Sequence, residues 1–110
     1  MNNVEIMRRL LVMLFANMLL AFQPRLYEIL DVQVHFIEFH WTILFYDVRY
    51  KIWYWPSNRT SELKTFHTYA PYAVLDGLVP GQLYNIWLMG VQHADVTSDY
   101  IAFQQMTGNY

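Results

Sequence analysis

Cysteine is absent from this 110-residue chain. Disulfides are excluded, and with them thiolate-based metal and redox sites. A surplus of positive charge is missing too. The net charge is −2, from 7 basic and 9 acidic residues, so nothing draws the chain to nucleic acid or to an anionic membrane surface. There is no Gly-rich phosphate loop, no Gly-x-Ser-x-Gly elbow and no His-Glu-x-x-His helix. Carboxylates are scattered singly. His35 and His40, read together on the second strand, are five apart and would face opposite sides, so they cannot share a metal. His67, on an edge strand, and His93, in a loop, stand apart from both. The expectation is a non-enzymatic protein with no catalytic residue, no cofactor and no metal.

What the chain does have is an apolar opening. Hydrophobic residues make up 55% of the sequence, and much of the excess lies before Gln23. Arg8-Arg9 precede a run from Leu10 to Phe22 that only Asn17 interrupts, with a small residue at Ala21. A basic flank, an apolar helical stretch and a small residue near its end make a secretory signal peptide. The run is short for a membrane span, which wants about 20 apolar residues. Residues 1–22 are therefore expected to be an apolar leader helix, serving as a signal peptide or a short membrane anchor, and 23–110 a single folded domain. A domain of this size can bury roughly two-thirds of its unfolded surface, enough for a core without staples.

After the leader the pattern changes to strands. Leu26–Val32 reads as a first edge strand, and Val34–Trp41 as a second, with Ile37, Phe39 and Trp41 on one face by period two. A third runs from Tyr46 through Trp55 and stops at Pro56, which cannot donate to a central ladder. Pro56–Ser61 is the most loop-like stretch. Glu62–Tyr69 reads as an edge strand that Pro71 ends, and Tyr72–Leu78 leads to a corner. Tyr84, Ile86, Leu88 and Gly90 would face inward on the sixth strand, and Asp99–Met106 supplies the last.

The corner is Leu75-Asp76-Gly77-Leu78-Val79-Pro80-Gly81-Gln82-Leu83-Tyr84. Pro80 presets φ and Gly81 tolerates a positive one, so the pair suits the centre of a tight turn. Tyr84 is placed to fold back and donate its hydroxyl to carbonyls just upstream, the tyrosine corner of Greek-key sandwiches. Leu75-x-x-Leu78-x-Pro80-Gly81-x-x-Tyr84 resembles the corner of the fibronectin type III family. Trp41 matches that family's core tryptophan, and Tyr46-x-Val48-x-Tyr50 resembles its third strand. An immunoglobulin domain would usually carry a Cys…Trp…Cys core, whereas this immunoglobulin-like fold needs none. The resemblance spans about Pro24–Thr107 and implies a seven-stranded antiparallel Greek-key sandwich.

Two surface features stand out. Asn58-Arg59-Thr60 is an N-glycosylation acceptor in the best loop of the chain. On the third strand Trp53 and Trp55 alternate with Ile52 and Tyr54; on the sixth, Trp87 and Met89 alternate with Ile86 and Leu88. With both strands in register, Trp53, Trp55, Trp87 and Met89 share an outward face, and such clusters mark interaction sites. The expectation is a secreted, extracellular glycoprotein that binds protein in adhesion, as a receptor fragment or in assembly, with a protein partner or self-association. The alternatives are a carbohydrate-binding sandwich stacking sugars on Trp53, Trp55 and Trp87, and a membrane-anchored subunit if the leader is uncleaved.

Overall fold

The computed structural model describes residues 2–10, 25–42, 48–92, 96–98 and 100–110. Residues 3–10 are helical, and the Asn2 side chain caps them by accepting from the Glu5 N–H at 2.8 Å. The rest of the expected leader, residues 43–47 with Tyr46, His93 and Asp99 lie outside the described residues. Among the described residues, no helix is long and apolar enough to cross a membrane.

Seven strands follow: β1 (Arg25–Val32), β2 (Ile37–Thr42), β3 (Arg49–Pro56), β4 (Lys64–Thr68), β5 (Tyr72–Leu75), β6 (Leu83–Val91) and β7 (Ile101–Met106). They form two antiparallel sheets, one ordered β1-β2-β5 and the other β4-β3-β6-β7. The expected sandwich is present, and alternation builds its core. Ile37, Phe39 and Trp41 from β2 meet Tyr50 and Ile52 from β3 and Tyr84, Ile86 and Leu88 from β6, all buried. Each fully buried side chain of this size stabilises the fold by about 1.5–3 kcal/mol before entropy is counted. Phe39 packs edge-on against Phe103 at 5.3 Å, and Tyr27 stacks on Phe103 at 4.2 Å, bringing β1, β2 and β7 together.

Several expectations change in detail: Pro56 stays in β3 opposite Tyr84, and β4 begins at Lys64 after a short 3-10 helix at Thr60–Glu62 rather than at Glu62. His35 is not on a strand: the Gln33 N–H donates to the Phe36 carbonyl at 2.9 Å, so 33–36 is a turn and β2 begins at Ile37. The last strand begins at Ile101 rather than Asp99. The polar segment after β6 keeps part of the ladder, because Gln92 donates to Val96 at 2.8 Å and Ser98 to Gly90 at 2.9 Å.

The corner holds, with one reversal. Gly81 takes φ +64°, as the turn requires. Tyr84 is buried beneath it, but its hydroxyl accepts, from the Val79 N–H at 2.9 Å, where donation to a carbonyl was expected. Thr107 meets the same turn, its hydroxyl donating to the Val79 carbonyl at 2.6 Å. That same Thr107 oxygen accepts from the Gln82 N–H at 2.9 Å, so a buried threonine is spliced into the bond that would close the turn. The end of the chain is tied down around it. Gly81 donates to the Gly108 carbonyl at 2.9 Å and Gly108 to the Gln33 carbonyl at 3.0 Å. His35 Nδ1 lies 3.0 Å from the Leu78 carbonyl and therefore carries a proton, while Nε2 meets the Tyr110 hydroxyl at 2.7 Å.

Candidate functional site: an aromatic groove on the outer sheet face

The β3–β6 register sets the site. Trp53 pairs with Trp87, Lys51 with Met89, and Trp55 with Asn85. Paired residues point to the same side, so the indoles gather on the face away from the core. Trp87 stands at the centre. Its ring meets Trp55 at 5.4 Å and Trp53 at 6.5 Å, both edge-to-face, and stacks nearly parallel on Tyr100 at 4.5 Å. Edge-to-face and offset stacking both suit the ring quadrupole and contribute about 0.5–1.5 kcal/mol per pair. Across β6 the partner of Trp87 is Ala102, whose small side chain leaves room for the indole.

Together Trp53, Trp55, Leu63, Trp87, Met89 and Tyr100 line an open groove of about 440 Å³. All four residues expected on this face line it, and each is half-buried. They bury one another, and among the described residues no second sheet covers them: Tyr100 and Leu63 line the groove yet remain 53% and 50% exposed. Those two were missed in the sequence. Tyr100 fell inside the expected last strand, but its side depends on the β6–β7 register. Leu63 precedes β4 and comes opposite Trp55 only once Tyr54 is paired with Lys64.

One end of the groove is cationic. Lys51 Nζ sits 4.7 Å from the centre of the Trp53 ring, a cation–π contact. Lys51 pairs with His67 on β4. Partial desolvation, then the charges of Arg49 and Lys51, hold His67 below its ordinary value. Opposite, the Gln104 amide donates to Asn85 at 2.7 Å beside the aromatic row. The outer face of the other sheet differs in kind, carrying Glu28, which pairs with His40 at 3.1 Å, beside Glu38 and Tyr72. Among the described residues, no three His, Asp or Glu side chains gather as metal ligands. Asn58 is exposed in a turn closed by the Arg59 N–H on the Pro56 carbonyl at 2.9 Å.

No family model matches the sequence, and no curated protein matches it. Solved structures do match the backbone. The fn3 domain of the human collagen alpha-1(XX) chain superposes with a TM-score of 0.71 at 19% identity, over 80% of this chain and 86% of that one. The fold is that of a fibronectin type III domain. A β-sandwich protein redesigned by computer matches the fibronectin type III-like domain at 0.68 and 15% identity, over 80% of this chain and 91% of its own. Chicken CNTN1 FN1-FN3 domains match at 0.67 and 16%, over 78% of this chain and 32% of that chain. At these identities the likeness carries the architecture, and the groove is argued from this chain's own side chains.

Proposed function

We propose that this fibronectin type III-like domain is an extracellular, non-enzymatic binding module that takes a protein partner, or a second copy of itself, on the outer face of β4-β3-β6-β7. One observation carries the reading. Three tryptophans and a methionine line a 440 Å³ groove on strands whose other side already builds the core. Rigid aromatic anchors in a partly desolvated hollow are what binding hot spots are made of. A role in adhesion, as a receptor fragment or in assembly fits such a surface. Protein is favoured over free carbohydrate because the groove presents almost wholly apolar surface, its polar groups being the indole N–H donors and the Tyr100 hydroxyl, whereas specific sugar recognition requires several placed polar partners. Residues 1–22 serve as the export leader, and the domain begins at Gln23.

The test is the double substitution Trp53→Ser with Trp87→Ser in the full chain, followed by circular dichroism and sedimentation. The reading expects a folded variant that loses self-association or its co-purifying partner. A folded variant with unchanged sedimentation and the same partner would contradict it. N-terminal sequencing of exported protein should begin near Gln23; a start at Met1 would make the leader an anchor or a structural segment.

A further inference from the structure

We propose that Asn58 carries an N-linked glycan whose first N-acetylglucosamine lies flat against the Trp55 indole, so that sugar caps the Leu63 end of the groove. The inference rests on the export reading above. Trp55 points outward at the end of β3, and the β3–β4 register brings Leu63 across from it. The intervening loop leaves the sheet after Pro56 and returns at Lys64, and Asn58 rides in its first turn, three residues beyond Trp55. That turn is well held: Ser57 donates to the Leu83 carbonyl at 2.9 Å, and Arg59 to the Pro56 carbonyl at 2.9 Å. Arg59 also pairs with Glu62 at 3.1 Å, drawing the loop together. Asn58, Arg59 and Thr60 are all exposed, as a transferase acting on the acceptor triplet needs.

The attachment itself is a glycosyl transfer. The Asn58 side-chain nitrogen bonds to the anomeric carbon of a lipid-linked oligosaccharide, loses one proton, and the lipid pyrophosphate departs with the bonding pair. In the proposed arrangement the first sugar reaches back over those three residues to Trp55, whose indole is half-buried. Its axial C–H bonds carry partial positive charge and the indole face is negative, so the two attract face to face. A tethered sugar does not need the hydroxyl partners that a free one would, because its effective concentration at Trp55 is already high. The same stacking leaves a protein partner the Trp87, Met89 and Tyr100 end.

The experiment expresses the full chain in mammalian secretory cells and compares three forms: the whole glycan, the glycan trimmed to one N-acetylglucosamine, and Asn58→Gln. Each is melted in the native and the Trp55→Leu background. The single sugar should keep the Tm of the whole glycan, and Asn58→Gln should melt about 4 °C lower. In Trp55→Leu that difference should vanish. If Trp55→Leu does not fold, nuclear magnetic resonance of the native form decides, since indole ring current should move the sugar's protons upfield. Secreted protein with a bare Asn58, or with an unshifted sugar, overturns this inference and leaves the export reading standing. A chain that never enters the secretory pathway overturns both.

Discussion

The two faces of the β3–β6 strand pair share a backbone and differ in what lies over them. On the inner side Ile52, Ile86 and Leu88 are fully buried because the β1-β2-β5 sheet closes over them. On the outer side Trp53, Trp55 and Trp87 stay half-buried, shielded among the described residues by one another, Met89, Tyr100 and Leu63, with Lys51 over Trp53. Burial inside comes from a second layer, and burial outside comes from ring size. The inner face is therefore fully used by the fold, while the outer face keeps hydrophobic surface that folding has not consumed. A change inside should cost stability, and a change outside should mainly cost association.

The largest effect should come from the core. Trp41→Ala should lower stability by about 3–5 kcal/mol in chemical denaturation, the cost of an unfilled cavity. If it proves milder than Trp87→Ala, the assignment of inside and outside is wrong. Next come the groups that close the end of the sandwich. Thr107→Val leaves both the Val79 carbonyl and the Gln82 N–H without their partner, at about 1–3 kcal/mol for each buried group. Tyr84→Phe orphans only the Val79 N–H, so its cost should be smaller, about 1–2 kcal/mol. Equal losses in the two variants would remove Thr107 from the corner. Trp87→Ala should cost about 2 kcal/mol in the isolated domain, from ring contacts worth about 0.5–1.5 each. Trp53→Ala, with fewer ring partners, should cost less.

The smallest effects are those of pH. Burial raises the Tyr50 and Tyr54 phenols above their ordinary 10.0, so the folded state favours the neutral form. That contribution is intact below pH 10 and is lost as pH rises past it. His67 runs the other way: its folded value lies below the ordinary 6.5, so its contribution is present above pH 6.5 and lost as pH falls. The side chain is exposed, so solvent screening keeps the effect slight. His67→Gln should flatten a shallow acid slope in urea midpoints while leaving the alkaline one unchanged.

Much of this was legible in the sequence, because strands write their faces as alternation. Ile37-x-Phe39-x-Trp41 and Tyr84-x-Ile86-x-Leu88 placed the core by period alone, and the same period put Trp53, Trp55, Trp87 and Met89 on one outward side. Pro80-Gly81 marked the corner, since few other pairs supply both dihedrals. What stayed hidden depended on contacts distant in sequence. Thr107 looks like an ordinary residue after a strand until the chain end is seen against Gln82 and Val79. His35 has strand-like neighbours, and only the Gln33–Phe36 bond takes it out of β2. Tyr100 and Leu63 join the groove through register, which no local pattern encodes.

The central claim is that a sheet face the core does not need is covered in the native assembly. Hydroxyl-radical footprinting of tryptophan, on the protein as isolated from its cells and again on the dissociated domain, tests it most directly. Trp41 serves as the internal reference, being only 4% exposed in the domain itself. The account predicts that Trp53 and Trp87 are protected in the native form and oxidise readily after dissociation, while Trp41 stays protected in both. Equal oxidation of Trp53 and Trp87 in the two forms would contradict it.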